Sequence, residues 1–184
     1  MQMNKKAVLC IVCCIILFWC CRIYSINQIR GNECQIQMGE ELQGENISIV
    51  PLEAHLFSRY DFLEYFHLTE DVLNENEDEN CKFICVSLLV SNVTEQDISW
   101  DLVMNATSCG FETKTWASTN MSYIGSKLNV FEDECLRANQ SQKIWYVTVV
   151  NPICFKNKTW RQLECKDFCY VLSITPEKIN VQLE

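Results

Sequence analysis

Histidine, proline and glycine are scarce in this chain of 184 residues, which has two, three and five of them respectively. A serine or cysteine nucleophile would therefore have to use His55 or His67 as its base. Neither histidine has the spacing of a metal ligand, and no G-x-S-x-G, P-loop or G-x-G-x-x-G motif is present. The sequence thus predicts a protein that is not an enzyme and has no cofactor or metal site.

Basic residues are also few, since the chain has 15 Lys and Arg residues and 24 Asp and Glu residues. Three of the basic residues, Lys5, Lys6 and Arg22, fall within the first 24 residues. The remainder has 12 basic and 24 acidic residues and a net charge of -12. Charge of that sign disfavours nucleic acid and anionic lipid as partners.

One uncharged apolar run, Ala7 to Cys21, follows Lys5 and Lys6. Basic residues before such a run retain that end in the cytoplasm. A signal peptide or a lipoprotein would need small residues before its cleavage site, and Trp19, Cys20 and Cys21 do not supply them. We therefore expect a cytoplasmic N-terminus at 1–6, a transmembrane signal anchor at 7–26, a tether at 27–33 and an extracytoplasmic domain at 34–184.

Eight cysteines lie in that outer domain: Cys34, Cys81, Cys85, Cys109, Cys135, Cys154, Cys165 and Cys169. An even number in an oxidising compartment is compatible with disulfides, whose connectivity the sequence does not choose. Two C-x-x-x-C pairs occur in strand-like stretches, where residues i and i+4 are about 13 Å apart. That separation is too large for one bridge or one metal ion. Buried strand thiols and disulfides both stay open as interpretations.

The outer domain also has six N-x-S/T sequons, at Asn46, Asn92, Asn105, Asn120, Asn139 and Asn157. In a eukaryotic or viral protein these would predict a glycosylated ectodomain.

Alternation of apolar and polar residues predicts a mainly β fold. The predicted strands are 46–57, 83–92, 97–104, 126–131, 144–150, 168–174 and 179–183. Pro51 confines the first of these to a sheet edge or a bulge. Phe62, Leu63 and Phe66 have helical spacing, so one short helix is expected at 59–66. The pattern predicts an antiparallel immunoglobulin-like β-sandwich with one short inserted helix, preceded by a single N-terminal transmembrane helix.

Four tryptophans lie in the outer domain. Trp100 and Trp145 lie in predicted strands and are expected in the core. Trp116 and Trp160 fall in polar, loop-like sequence, so they are the predicted partner-contact residues.

The chain resembles a family of small membrane-anchored extracytoplasmic domains of unknown function from anaerobic Gram-positive bacteria, the Firmicutes. The matching pieces are the anchor exit Arg22 to Asn27, the strand start Met38 to Glu41, the stretch Ala54 to Phe66, the strand Val86 to Asn92 and the turn Val171 to Pro176. The resemblance implies an immunoglobulin-like fold and a cell-surface location, with no known activity.

The sequence therefore predicts a non-catalytic, membrane-anchored domain that binds a protein or a cell-envelope component through its loops and an exposed edge strand. The alternative is a type II membrane glycoprotein of a eukaryote or virus that acts as a receptor, ligand or immune modulator. No cofactor and no nucleic acid is expected in either case.

Overall fold

The computed structural model describes residues 33–73, 79–131, 133–173 and 178–184, together with Ile15, Leu17, Phe18 and Trp19. The chain divides into two compact units, Met1–Glu33 and Cys34–Glu184. In the first unit Ile15, Leu17, Phe18 and Trp19 are helical and exposed. No helix within the described ranges has the length and apolarity to cross a membrane. The rest of the predicted anchor at 7–26, the acidic loop residues 74–78 and the turn at 174–177 lie outside the described residues.

The second unit is mainly β. Its strands, with Glu33 included, are β1 (Glu33–Ile36), β2 (Leu42–Gln43), β3 (Ile47–Ser58), β4 (Lys82–Asn92), β5 (Ile98–Ser99), β6 (Gly110–Glu112), β7 (Ala117–Ser118), β8 (Cys135–Leu136), β9 (Ser141–Val150), β10 (Cys169–Ser173) and β11 (Lys178–Gln182). Its α-helices are α1 (Arg59–Tyr65), α2 (Trp100–Thr107), α3 (Ser122–Leu128) and α4 (Asn157–Arg161). Short 3₁₀ turns lie at Glu70–Val72, Pro152–Cys154 and Cys165–Asp167.

Two sheets face each other across the main core. The five-stranded sheet has the order β1-β11-β10-β6-β7, and the four-stranded sheet has the order β2-β3-β4-β9. Strands β5 and β8 form a separate pair. Side chains from both sheets share one buried cluster, with Phe111 and Tyr170 contributed by the first sheet and Ile84 and Ile144 by the second. The predicted β-sandwich is confirmed in this coarse form.

Strand β4 lies in the middle of the four-stranded sheet and is buried on both faces. The residues whose side chains face the main core are fully buried: Ile84, Val86, Leu88 and Val90. On the opposite face, Phe83 and Cys85 are also 0% exposed and belong to a second cluster. The predicted alternation of β4 is confirmed. Because both of its faces are apolar, the strand needs a cover on each side.

Helices α1 and α3 supply the second cover. Phe62 of α1 stacks on Phe83 of β4, with ring centroids 4.3 Å apart and an interplanar angle of 13°. Ile124 of α3 is fully buried in the same cluster as Val147 of β9. Ser58 caps the N-terminus of helix α1, because its hydroxyl accepts a hydrogen bond from the Asp61 N–H at 3.2 Å. The predicted short helix at 59–66 is therefore confirmed.

A bulge in β3 determines which side chains reach that second face. The pairing of β3 with β4 shifts register between Pro51 and Glu53, which leaves Leu52 as the extra residue. Before the bulge Ile49 points to the main core, and after it Ala54 does. A one-residue shift exchanges the two faces of a strand. Of the sheet edge or bulge predicted from Pro51, the structure has the bulge, which places Glu53 on the face covered by α1.

Helices replace most of one predicted strand and half of another. Most of residues 97–104 form α2, because Ser99 caps the helix by accepting a hydrogen bond from Leu102 N–H at 3.4 Å. Val103 and Thr107, four residues apart, are its buried positions, whereas Leu102 is 49% exposed. Much of the predicted strand 126–131 belongs to α3. Alternation over a few residues does not distinguish a strand from a short helix when only one or two side chains are buried.

We expect Phe83→Ala to lower the free energy of unfolding by about 3–5 kcal/mol, because it removes the ring against which Phe62 stacks and leaves a cavity. The control is Val93→Ala, at a position that is 41% exposed. Its expected effect is within about 0.5 kcal/mol. Urea unfolding of both variants measures the difference. Equal destabilisation by Phe83→Ala and Val93→Ala would contradict the burial of the second face of β4.

Candidate functional site

A group of polar side chains, the Glu53 cluster, lies beside α1 on the outer face of the four-stranded sheet. The Glu53 carboxylate accepts hydrogen bonds from Tyr65 Oη at 3.2 Å and Ser87 Oγ at 3.4 Å. It lies 3.0 Å from His55 Nε2 and forms an ion pair with Lys143. These five residues come from β3, β4, β9 and α1, so the cluster ties the helix to three strands.

The environment of Glu53 holds its carboxyl group in the ionised form. Burial raises the pKa of Glu53, but hydrogen bonds from Lys143 and His55 and the charge of Lys143 outweigh it, and the resulting pKa is about 2. The carboxylate already has four hydrogen-bonding groups around it. The cluster is therefore suited to fixing α1 on the sheet rather than to general acid–base chemistry near neutral pH.

His55 and Cys85 are register partners on β3 and β4, and they are the pair most similar to a catalytic dyad. A nucleophilic cysteine needs a lowered pKa and access to substrate. Burial raises the pKa of the Cys85 thiol well above its usual value, with a smaller contribution from Cys165. The thiol is 0% exposed. The pairing of His55 with Cys85 therefore lacks both requirements for nucleophilic catalysis.

No disulfide joins any of the eight cysteines of the second unit, Cys34, Cys135 and Cys154 included. Cys81 and Cys85 are buried, whereas Cys165 lies in a 3₁₀ turn and Cys169 is only half-buried. Burial raises the pKa of Cys165 to about 11. The Cys109 thiol donates a hydrogen bond to the Leu172 carbonyl at 3.2 Å. Within the described ranges no three His, Cys, Asp or Glu residues cluster as metal ligands would.

The six sequons differ in what their asparagines do. Four of the asparagines are exposed: Asn46, Asn105, Asn139 and Asn157. Asn92 is buried, and its side-chain amide donates to the carbonyls of Gln96 and Leu136 at 2.7 and 3.1 Å. Asn120 is half-buried and donates to Ser108 Oγ and Tyr170 Oη at 2.9 and 3.0 Å. The amides of Asn92 and Asn120 therefore serve the fold.

The two predicted contact residues, Trp116 and Trp160, are half-buried and pack against the main core. Phe155 lies between them, with ring centroids 6.2 Å from Trp116 and 6.0 Å from Trp160. Lys82 Nζ lies 5.0 Å above the Trp160 ring and donates a hydrogen bond to its carbonyl. Both tryptophans thus brace the segment between β9 and β10.

That segment, residues 152–161, presents a surface that we call the basic segment. Asn151 caps its 3₁₀ turn by accepting a hydrogen bond from Ile153 N–H at 3.0 Å. Ile153 is 88% exposed at the tip. Lys156, Lys158 and Arg161 are exposed, and the segment contains no Asp or Glu. This is a local positive patch on a domain with a strong negative charge.

Sequence reasoning singled out the tryptophans and missed the cations beside them. The run from Lys156 to Arg161 is itself a visible signal, since it concentrates three basic residues within six. Its exposure depends on the packing of Phe155 and Trp160, which the sequence alone does not reveal.

No protein-family model matches the chain, and no curated protein is similar to it in sequence. Two solved structures are similar to this chain. An uncharacterized β-sandwich protein from Clostridium difficile 630 is 6% identical, with a TM-score of 0.53 over 84% of this chain and 97% of that one. A conserved hypothetical protein from Bacillus anthracis is 9% identical, with a TM-score of 0.49 over 79% and 94% of the two chains. The first similarity supports the β-sandwich fold.

Replacement of Glu53 by Gln tests the electrostatics of the cluster. Because the pKa of Glu53 falls from 4.5 to about 2 on folding, its ionised form stabilises the protein fully above pH 4.5. This contribution is lost as the pH falls toward 2. The difference in unfolding free energy between the parent and Glu53→Gln should therefore shrink between about pH 4.5 and pH 2. Glu45→Gln, in an exposed turn, is the control. A difference for Glu53→Gln that is independent of pH would contradict the assigned environment.

Proposed function

We propose that this protein is a non-catalytic binding domain held at the outer face of a membrane by residues 7–26, and that it is a member of the Firmicutes family that it resembles. In this proposal the sandwich is immunoglobulin-like and binds a protein or a cell-envelope component. The anchor is supported by the uncharged run after Lys5 and Lys6.

The basic segment is the observation that carries the binding proposal. The segment combines exposed cations with an exposed isoleucine, and such a surface would bind an anionic partner. The aromatic rings of Phe155 and Trp160 support the segment from within. A rigid contact surface loses little conformational entropy on binding.

The first strand of the domain lies near the basic segment. Gln35 Nε2 of β1 donates to Gln182 Oε1 at 3.0 Å, and Gln182 Nε2 donates to the Lys166 carbonyl at 2.8 Å. The domain therefore begins close to the turn that follows the basic segment. A partner bound to the basic segment would lie near this end of the domain.

A photo-crosslinking amino acid in place of Ile153 tests whether the basic segment binds a partner. The experiment uses the full chain expressed in the source cells. We expect a discrete adduct from Ile153 and none from Val93, an exposed position at the opposite end of β4. Lys156→Glu with Arg161→Glu should reduce the adduct about tenfold or more. Lys127→Glu with Arg137→Glu, which changes the net charge equally, should leave it unchanged.

Two results would contradict the proposal separately. An adduct from Ile153 that survives the charge reversal would contradict the role of the basic segment. Release of the full chain from membranes by alkaline carbonate would contradict the anchor.

A further inference from the structure

A cavity of about 290 Å³ lies at the outer edge of β9, between α2 and α3. Its walls include the rings of Phe131, Trp145 and Tyr146 and the thioethers of Met104 and Met121. The other lining residues are serines, asparagines, Val147 and Gly125, so no charged residue of the described ranges lines it.

Hydrogen bonds at both ends of α3 determine its distance from β9. At the C-terminal end, the Asn129 side chain donates to the Trp145 carbonyl and accepts from the Trp145 N–H, both at 2.8 Å. At the N-terminal end, Met121 N–H donates to the Val147 carbonyl at 2.8 Å. These bonds fix the helix on the edge of the sheet, so it cannot move inward to close the cavity without breaking them.

Gly125 enlarges the cavity from the middle of α3. A Cβ added there would meet no atom within 4 Å. By contrast, a Cβ at Gly44 or Gly110 would lie 2.8 or 2.3 Å from a backbone oxygen. Glycine weakens a helix relative to alanine, and neither close packing nor an unusual backbone angle requires it at position 125. The absence of a side chain at Gly125 therefore leaves space in the cavity.

We propose that this cavity is a binding site for a small, neutral aromatic molecule. Aromatic walls and methionine sulfurs pack favourably against an aromatic ring. A charged ligand would be buried there without a counter-charge, which is costly. Tyr146 adds no charge, since burial raises its pKa to about 12, and its hydroxyl already contacts Thr107 and Met104.

Polar side chains form part of the cavity lining, namely those of Ser108, Ser122, Ser126, Asn120 and Asn129. A ligand with a single hydroxyl, such as a phenol, would have a hydrogen-bonding partner among them. A ligand with several polar groups would leave some of those groups unpaired against the apolar walls, which is unfavourable.

Methionine methyl resonances provide a local readout in the full chain. With ¹³C-methyl methionine, phenol should cause saturable shifts at Met104 and Met121. Met38, which packs against the main core and does not line the cavity, should not respond. Benzoate, which is charged at neutral pH, should cause no saturable shift. Absence of a saturable phenol response at both cavity methionines, or an equal response at Met38, would overturn the proposal.

Variants of α3 supply the matched controls. Gly125→Leu should fill the cavity and weaken phenol binding about tenfold or more. Lys127→Leu adds the same side chain at an exposed position of the same helix and should leave binding unchanged. Gly125→Ala adds one methyl group and favours the helix, so this variant replaces Gly125→Leu if the leucine variant does not fold. It should weaken phenol binding about twofold or more. Unchanged binding in the folded Gly125 variants would place the ligand elsewhere.

Discussion

The burial of β4 on both faces is the constraint on which the rest of the structure depends. The strand carries Ile84 and Val86 toward one cluster and Phe83 and Cys85 toward another. A single sheet with two apolar faces is stable only when both are covered. The five-stranded sheet covers one face, and α1 and α3 cover the other. The architecture is therefore three layers deep at this strand, although it is a sandwich in its overall plan.

The features that could serve function lie where these covers end. Beyond α1, the outer face of the sheet is polar, and the Glu53 cluster fixes the helix there through the hydrogen bond from Tyr65 Oη to the Glu53 carboxylate. Beside α3, a gap between this helix and β9 forms the neutral cavity. At one end of the sandwich, Trp116 and Phe155 pack against the core and against each other. The cations of the basic segment are exposed beside them. These three features differ in charge: the Glu53 cluster contains an ion pair, the cavity is neutral and the basic segment is positive.

The sequence predicted the long strands well because alternation over ten residues is unambiguous, as in β4 and β9. It failed at 97–104, where the cap at Ser99 and the spacing of Val103 and Thr107 outweigh a short alternation. The Glu53 cluster was beyond prediction, since Pro51 left a sheet edge and a bulge as alternatives and only the bulge brings Glu53 opposite Ser87. The cavity was equally hidden, because the space beside Gly125 exists only once α3 is fixed on the edge of β9.

Native-state hydrogen exchange of the β4 amides tests the central claim most directly. If β4 is the doubly covered centre of the fold, its amides exchange only through global unfolding. Their opening free energy should then equal the unfolding free energy from urea, and it should exceed that of the short strands β1 and β2. Exchange of the β4 amides through local openings, with free energies no higher than those of β1 and β2, would contradict the account.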